Sequence, residues 1–193
     1  SVIDPGDLEI IGTWAACGDN EGNPETPLFT GPALFSSDAS IWAKATPFGL
    51  GSHLDMLHDS PNCMGIAHET GNAYWVFDGY HRSLTRYDFQ ADHGPGNDDH
   101  SDGIIRRYAE DEVERRPGVP SHLVFHEPTR ALFVADTGHG RVIRLDVDTG
   151  TAGPDLASLE PLAEHRRIDG ARVVEVVPPG RLDAPSGLAI HDD

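Results

Sequence analysis

The chain has 193 residues, 32 of them acidic and 14 basic, for a formal net charge of −18. Phosphate recognition needs clustered Lys and Arg, so this balance excludes nucleic acid and anionic membrane surfaces as partners and favours cation binding. No apolar run is long enough to span a bilayer, so membrane insertion is excluded too; the length predicts one domain, and 21 Gly with 15 Pro fit a turn-rich all-β chain.

Ser1–Pro32 opens with an acidic leader and one predicted strand, Leu8–Ala15, followed by a loop over Gly18–Pro27. No signal peptide is visible, and a chain opening on Ser1 rather than Met reads as processed or trimmed. Ala33–Pro47 has the pattern of two short strands. Residues 1–50 thus read as a leader with one degenerate repeat, and residues 51–193 as the repeat region. Cys17 and Cys63 are the two cysteines. Their spacing permits one disulfide in an oxidising compartment and leaves their state open. The acidity and the missing Met point to an extracellular or periplasmic protein.

Gly51–His68, GSHLDMLHDSPNCMGIAH, gathers both methionines of the chain, Met56 and Met64, with Cys63 and the histidines His53, His58 and His68. Thioether, thiolate and imidazole donors together suit Cu(I), and the imidazoles alone suit zinc. The competing reading packs Met56 and Met64 in the core, bridges Cys63 to Cys17 and leaves the histidines in a loop.

From here the chain repeats itself. A shift of 58 residues lays Asn62–Asp88 on Pro120–Asp146 without a gap, matching His68 to His126, Val76 to Val134, Asp78 to Asp136, His81 to His139, Arg86 to Arg144 and Asp88 to Asp146. A third copy opens at Ala184 and extends to Asp193. Each copy predicts a short apolar strand (Leu123–Phe125), a turn (Glu127–Arg130), an alternating strand closed by Asp (Ala131–Asp136), a Gly-rich turn and a further alternating strand (Arg141–Asp146). Asp78 and Asp136 are expected to bond the backbone N–H groups of their own turns.

Two insertions separate the copies. In the first, 90–118, Asp98, Asp99 and Asp102 stand beside Asn97 and Gly103, oxygen donors on a tight turn of the kind that holds Ca²⁺. It is not an EF-hand, because His100 takes the third position and Ala109 the twelfth; a solvated acidic loop is the plainer alternative. Tyr108–Arg116 predicts a short helix with Glu before Arg at helical spacing. In the second, 149–183, Leu156–Arg167 predicts a helix interrupted at Pro161, and Ala171–Val177 an outer strand.

This grammar resembles the NHL repeat. Pro185, Gly187, Leu188 and Ala189 match its first strand, Phe133-Val134-Ala135-Asp136 its second, and Arg141-Val142 its third. The resemblance implies a β-propeller of four-stranded blades whose first strands line a central channel, with a protein or small-molecule ligand at one face. Propellers close with about 4–8 blades of roughly 40–45 residues, and only about three or four fit here. A fragment is therefore implied, or a ring completed by self-association or by further chain segments. His68, His126 and His191 share one repeat position after the first strand, where a turn role is expected. His122 is the better candidate for facing the channel.

Asp78-Gly79-Tyr80, followed at the next copy by Val119-Pro120-Ser121-His122-Leu123, is similar to the peptidylglycine amidating lyase family of NHL propellers. That resemblance implies Tyr80 as a base on a hydroxyglycine substrate. It also implies zinc on three histidines, each following the Pro that opens an inner strand. Those positions hold Ser121, Ser186 and Cys63 or Asn62 in this chain, and His122 falls one residue late, which turns a strand residue to the other face. The sequence therefore predicts a propeller acting as a binding or scaffold module, with an amidating lyase and a copper protein as alternatives. Its candidate metals are copper or zinc on His53, Met56, His58, Cys63, Met64, His68 and His122, and calcium on Asp98, Asp99 and Asp102.

Overall fold

A computed structural model describes residues 2–3, 12–18, 27–42 and 51–191. Among them strands form three sheets, and there is no α-helix. The first sheet runs antiparallel in chain order through β1 (Val2–Ile3), β2 (Thr13–Ala16), β3 (Ala33–Ser36) and β4 (Asp55–Met56). The central sheet is built from β5 (Cys63–Thr70), β6 (Ala73–Asp78), β7 (Ser83–Asp88) and β8 (Ile104–Tyr108), again antiparallel neighbours. The third contains β9 (Leu123–His126), β10 (Ala131–Asp136) and β11 (Arg141–Asp146), closed on the outside by β14 (Arg172–Val177). A hairpin of β12 (Thr151–Asp155) and β13 (Glu164–Asp169), inserted between β11 and β14, crosses back to the central sheet, where β13 pairs parallel with β8.

Hydrophobic pattern explains this stacking. β6 reads AYWVFD, a run buried at every position, as a strand covered on both faces should be. Its period of two sends Tyr74 and Val76 into one core with Ala15, Leu34, Leu57 and Phe89, under the first sheet. Trp75 and Phe77 enter the other core with Leu132, Val134, Ile143 and Leu145, under the third. Each such side chain contributes about 1.5–3 kcal/mol on burial. β10 and β11 follow β6 and β7 at the 58-residue interval of the repeat. The first strands β1, β5 and β9 are neighbours in space.

Several segments differ from the sequence expectation. Leu8–Ile11 and residues 43–50, Asp192 and Asp193 lie outside the described residues, so the first predicted strand is seen only over Thr13–Ala16 and the second pair only as Ala33–Ser36. Tyr108–Arg116 is not helical. Tyr108 ends β8, and Ala109 and Asp111 take φ values of 48° and 63°, which no helix accommodates. The helix predicted over Leu156–Arg167 is replaced by an irregular stretch and then β13, whose EHRRID run gains a ladder by lying beside β8. Residues 184–191, the expected first strand of the third copy, find no ladder partner and form no strand. Asp78 makes the predicted turn, its Oδ1 accepting the N–H of Tyr80 and of His81 at 3.0 Å. Asp136 instead reaches across to Glu114, accepting its N–H at 2.9 Å, while its other oxygen accepts from His139 and Arg141.

Cys17 and Cys63 form a disulfide, with Cα atoms 5.7 Å apart, tying the segment after β2 to the start of β5. The bond fits an oxidising environment. No helix among the described residues is long and apolar enough to cross a membrane.

Candidate metal centre

Leaving Gly51, the chain runs through β4 and along the flank of the central sheet to Asn62. At its start it meets the long β7–β8 loop. The N–H of His93 donates to Leu54 O at 3.0 Å and that of Gly96 to His53 O at 2.8 Å. Gly94 and Gly96 turn with φ of 80° and 70°, folding the loop back so that His100 returns to the same place. Gly103 follows, and a Cβ there would stand 2.6 Å from a methyl of the buried Leu57 and 3.1 Å from His100 O, so any other residue must displace Leu57.

These contacts bring His53, His93 and His100 together with one ligating nitrogen each, all within 4.8 Å of one another. The rings of His53 and His93 are 5.3 Å apart, and those of His93 and His100 5.1 Å. The protonation of two rings follows from their partners. His93 Nδ1 lies 2.7 Å from the carbonyl of Gly94, which only accepts, so Nδ1 carries the proton and Nε2 keeps its lone pair. His100 Nδ1 donates to Glu160 Oε2 at 2.5 Å. Both Nε2 atoms are buried and have no hydrogen-bond partner. A buried ring nitrogen needs a partner; His58 and His165 Nε2 also have none, but His93 and His100 are the two that stand in a group of three imidazoles among the described residues.

Asp55, wholly buried, points its Oδ1 to within 4.0 Å of His100 Nε2. Neither of its oxygens has a hydrogen-bond partner of good geometry. Burial pushes its pKa up to about 7, with His100 and the Met56 amide offsetting only part of the cost. Glu160 has the opposite balance. Burial would raise it, but the Nδ1–H groups of His100 and His58 outweigh that and hold it at about 2. The His100 imidazole is raised, chiefly by its bond to Glu160.

His58, His100 and Glu160 also form a compact group. Their contacts are 2.7 Å from His58 Nδ1 to Glu160 Oε1 and 2.5 Å from His100 Nδ1 to Oε2. Donors around a tetrahedral ion with bonds of about 2.0–2.1 Å stand about 3.3 Å apart. These contacts are shorter and hold protons, so Glu160 orients imidazoles, and His93 and His100 present their Nε2 lone pairs beside His53.

Of the sequence candidates, His53 enters this group and His58 adjoins it through Glu160. The soft donors go elsewhere. Cys63 is spent in the disulfide and offers no thiolate. Cys63, Met64 and His122 line a separate cavity of about 380 Å³ with Ser121 and Ser186, and His122 Nδ1 accepts the Leu188 N–H at 3.0 Å. Met56 lies on β4 beside Asp55, whose Oδ1 stands 4.0 Å from His100 Nε2. His68 meets Gly71 O at 3.0 Å within its own hairpin. Tyr80 is 48 % exposed in the β6–β7 turn, at the end of the central sheet opposite the β7–β8 loop. Of the proposed calcium aspartates, Asp99 accepts from the Ser101 N–H and hydroxyl and Asp102 from the Ala91 N–H. Asp98 is exposed, and among the described residues the three form no ligand group. Asp55, His93, His100 and Glu160 were not among the candidates. The available signal was His93 and His100 seven residues apart in one Gly-rich loop.

Comparison with known proteins finds no matching family model, no similar curated protein and no similar solved structure.

Proposed function

We propose that the chain is an exported, metal-binding module of NHL-type β-propeller architecture, its centre taking a divalent transition ion of the zinc class on His53, His93 and His100. The observation that carries this is the pair of buried, unpartnered Nε2 atoms on His93 and His100, with the proton of each ring fixed on Nδ1 by a carbonyl or carboxylate. That is how imidazole is prepared for a metal. Three imidazoles with a neighbouring carboxylate match zinc-type donor sets, whereas Cu(I) would call on thiolate and thioether donors, and both cysteines are held in the disulfide. When bound, the ion supplies a Lewis-acidic, positively charged point inside an otherwise acidic protein. Asp55 faces it as the anionic donor that offsets its charge.

The propeller reading is supported by the adjacency of β1, β5 and β9 and by the 58-residue interval. It is supported too by the cavity in which Cys63, Ser121 and Ser186, the positions equivalent in the three copies, come together. An exported location is supported by the disulfide. The protein prepared from zinc-supplemented medium should carry about one zinc per chain by elemental analysis. His93→Ala and His100→Ala should each lose it while keeping the β-sheet circular dichroism of the parent. Folded, metal-free wild-type protein that takes up no zinc on titration refutes the assignment.

A further inference from the structure

Glu160 sits in the irregular stretch joining β12 to β13, and its carboxylate is shared by two histidines from different parts of the chain. His58 follows β4 and His100 precedes β8, yet both donate Nδ1–H to it. Beside it Leu159 is 58 % exposed, while Leu162, two residues on, packs against the core between the first and central sheets. Further ties are the Ser158–His165 contact and the Leu156 N–H, which donates to His165 O at 2.8 Å, within the hairpin, and the N–H groups of Ala163 and Glu164, which donate to Gly103 O at 3.0 and 3.3 Å. The Glu160 carboxylate is the polar side-chain contact that this hairpin makes with His58 and His100.

We propose that Glu160 is the positioning residue of the metal centre, and that ion uptake fastens the β12–β13 hairpin to the β7–β8 loop. The proposal rests on the metal reading above. A carboxylate has only acceptors, so it forces the proton of His100 onto Nδ1 and presents the Nε2 lone pair to the ion. An ion on Nε2 in turn polarises the Nδ1–H and strengthens its bond to Glu160. By linkage, hairpin docking and metal binding favour each other by the same factor. Glu160→Gln breaks the logic without changing size. The amide keeps one acceptor and gains a donor, and the ring that meets the donor must move its proton to Nε2.

Zinc and cobalt(II) titrations of the full chain test this, with Glu160→Gln, Glu160→Ala and, as a control on the same hairpin, Glu164→Gln, which removes a pair with Arg106 instead. The Glu160 variants should bind zinc about 10–100-fold more weakly and shift the visible cobalt(II) bands. Zinc should protect residues 156–163 from proteolysis in the wild type and no longer in Glu160→Gln. Glu164→Gln should bind as the wild type does. Should Glu160→Ala fail to fold, the isosteric Gln variant carries the test. Wild-type binding with unchanged affinity, cobalt spectrum and protection in Glu160→Gln overturns this proposal and leaves the metal centre standing. A wild type that binds neither ion overturns both.

Discussion

Asp55 shows what the candidate centre costs the metal-free protein. A carboxylate with no exposure and no well-formed hydrogen bond is a standing penalty, and its raised pKa reports it. Asp55→Asn should therefore stabilise the metal-free protein at neutral pH by about 1–3 kcal/mol, the range for a poorly satisfied buried polar group. The same variant should weaken the stabilisation that zinc confers, which in the wild type reaches about 2.7 kcal/mol at a free concentration 100-fold above Kd. Denaturant melts with chelator and with zinc check both halves, and loss of stability without metal would contradict the account. Tyr87 offers a test away from the centre. Burial, then Asp78 and Asp59, hold its phenol well above the ordinary 10, so the fold binds this proton more tightly than the unfolded chain. The resulting stability is present below pH 10 and lost as the pH rises beyond it. Phenolate absorbance compared with Tyr87→Phe should show Tyr87 ionising only as the circular dichroism collapses. At this scale His53 and His58 were legible as ligand types, but Glu160, 60 residues beyond His100, gave no local sign of its role. His100 interrupts the oxygen-ligand pattern of its loop, and that departure is its one local sign.

Among the elements, what could be read depended on where each strand finds its partner. β10 and β11 emerge from the sequence with the observed bounds because their alternation is strong and their partners adjoin in the chain. β13 was hidden. Its ladder runs parallel to β8, nearly 60 residues earlier, and nothing local distinguishes EHRRID from a helical stretch. The loops that build the centre were legible as loops, but their convergence depends on β4 lying against the β7–β8 loop, a tertiary fact. Gly103 marks that closure. Gly103→Val should drive a branched side chain into Leu57 and cost about 1–3 kcal/mol, as overpacking does. It should weaken zinc binding beyond its effect on stability, because His100 is displaced directly. Paired thermal melts and zinc titrations decide this, and a variant that binds zinc as tightly as the wild type would count against the loop closure.

For the whole molecule, an all-β chain was apparent from composition and repeat, and three sheets with two cores follow from the buried β6 between them. The disulfide belongs to this scale, since it ties the first sheet's end of the chain to the central sheet across 46 residues. Replacing Cys17 and Cys63 by Ser should lower stability by about 4 kcal/mol through restored chain entropy. Urea unfolding of the oxidised and substituted proteins measures it. Zinc binding should survive wherever the substituted protein remains folded, because neither sulfur belongs to the centre.

Anomalous diffraction at the zinc edge, from crystals grown with zinc, shows whether His53, His93 and His100 hold an ion. One strong peak is expected about 2.0–2.1 Å from Nε2 of both His93 and His100, with His53 completing the set and Glu160 still on His100 Nδ1. Ordered density for these rings with no peak among them, at saturating zinc, would contradict the metal assignment.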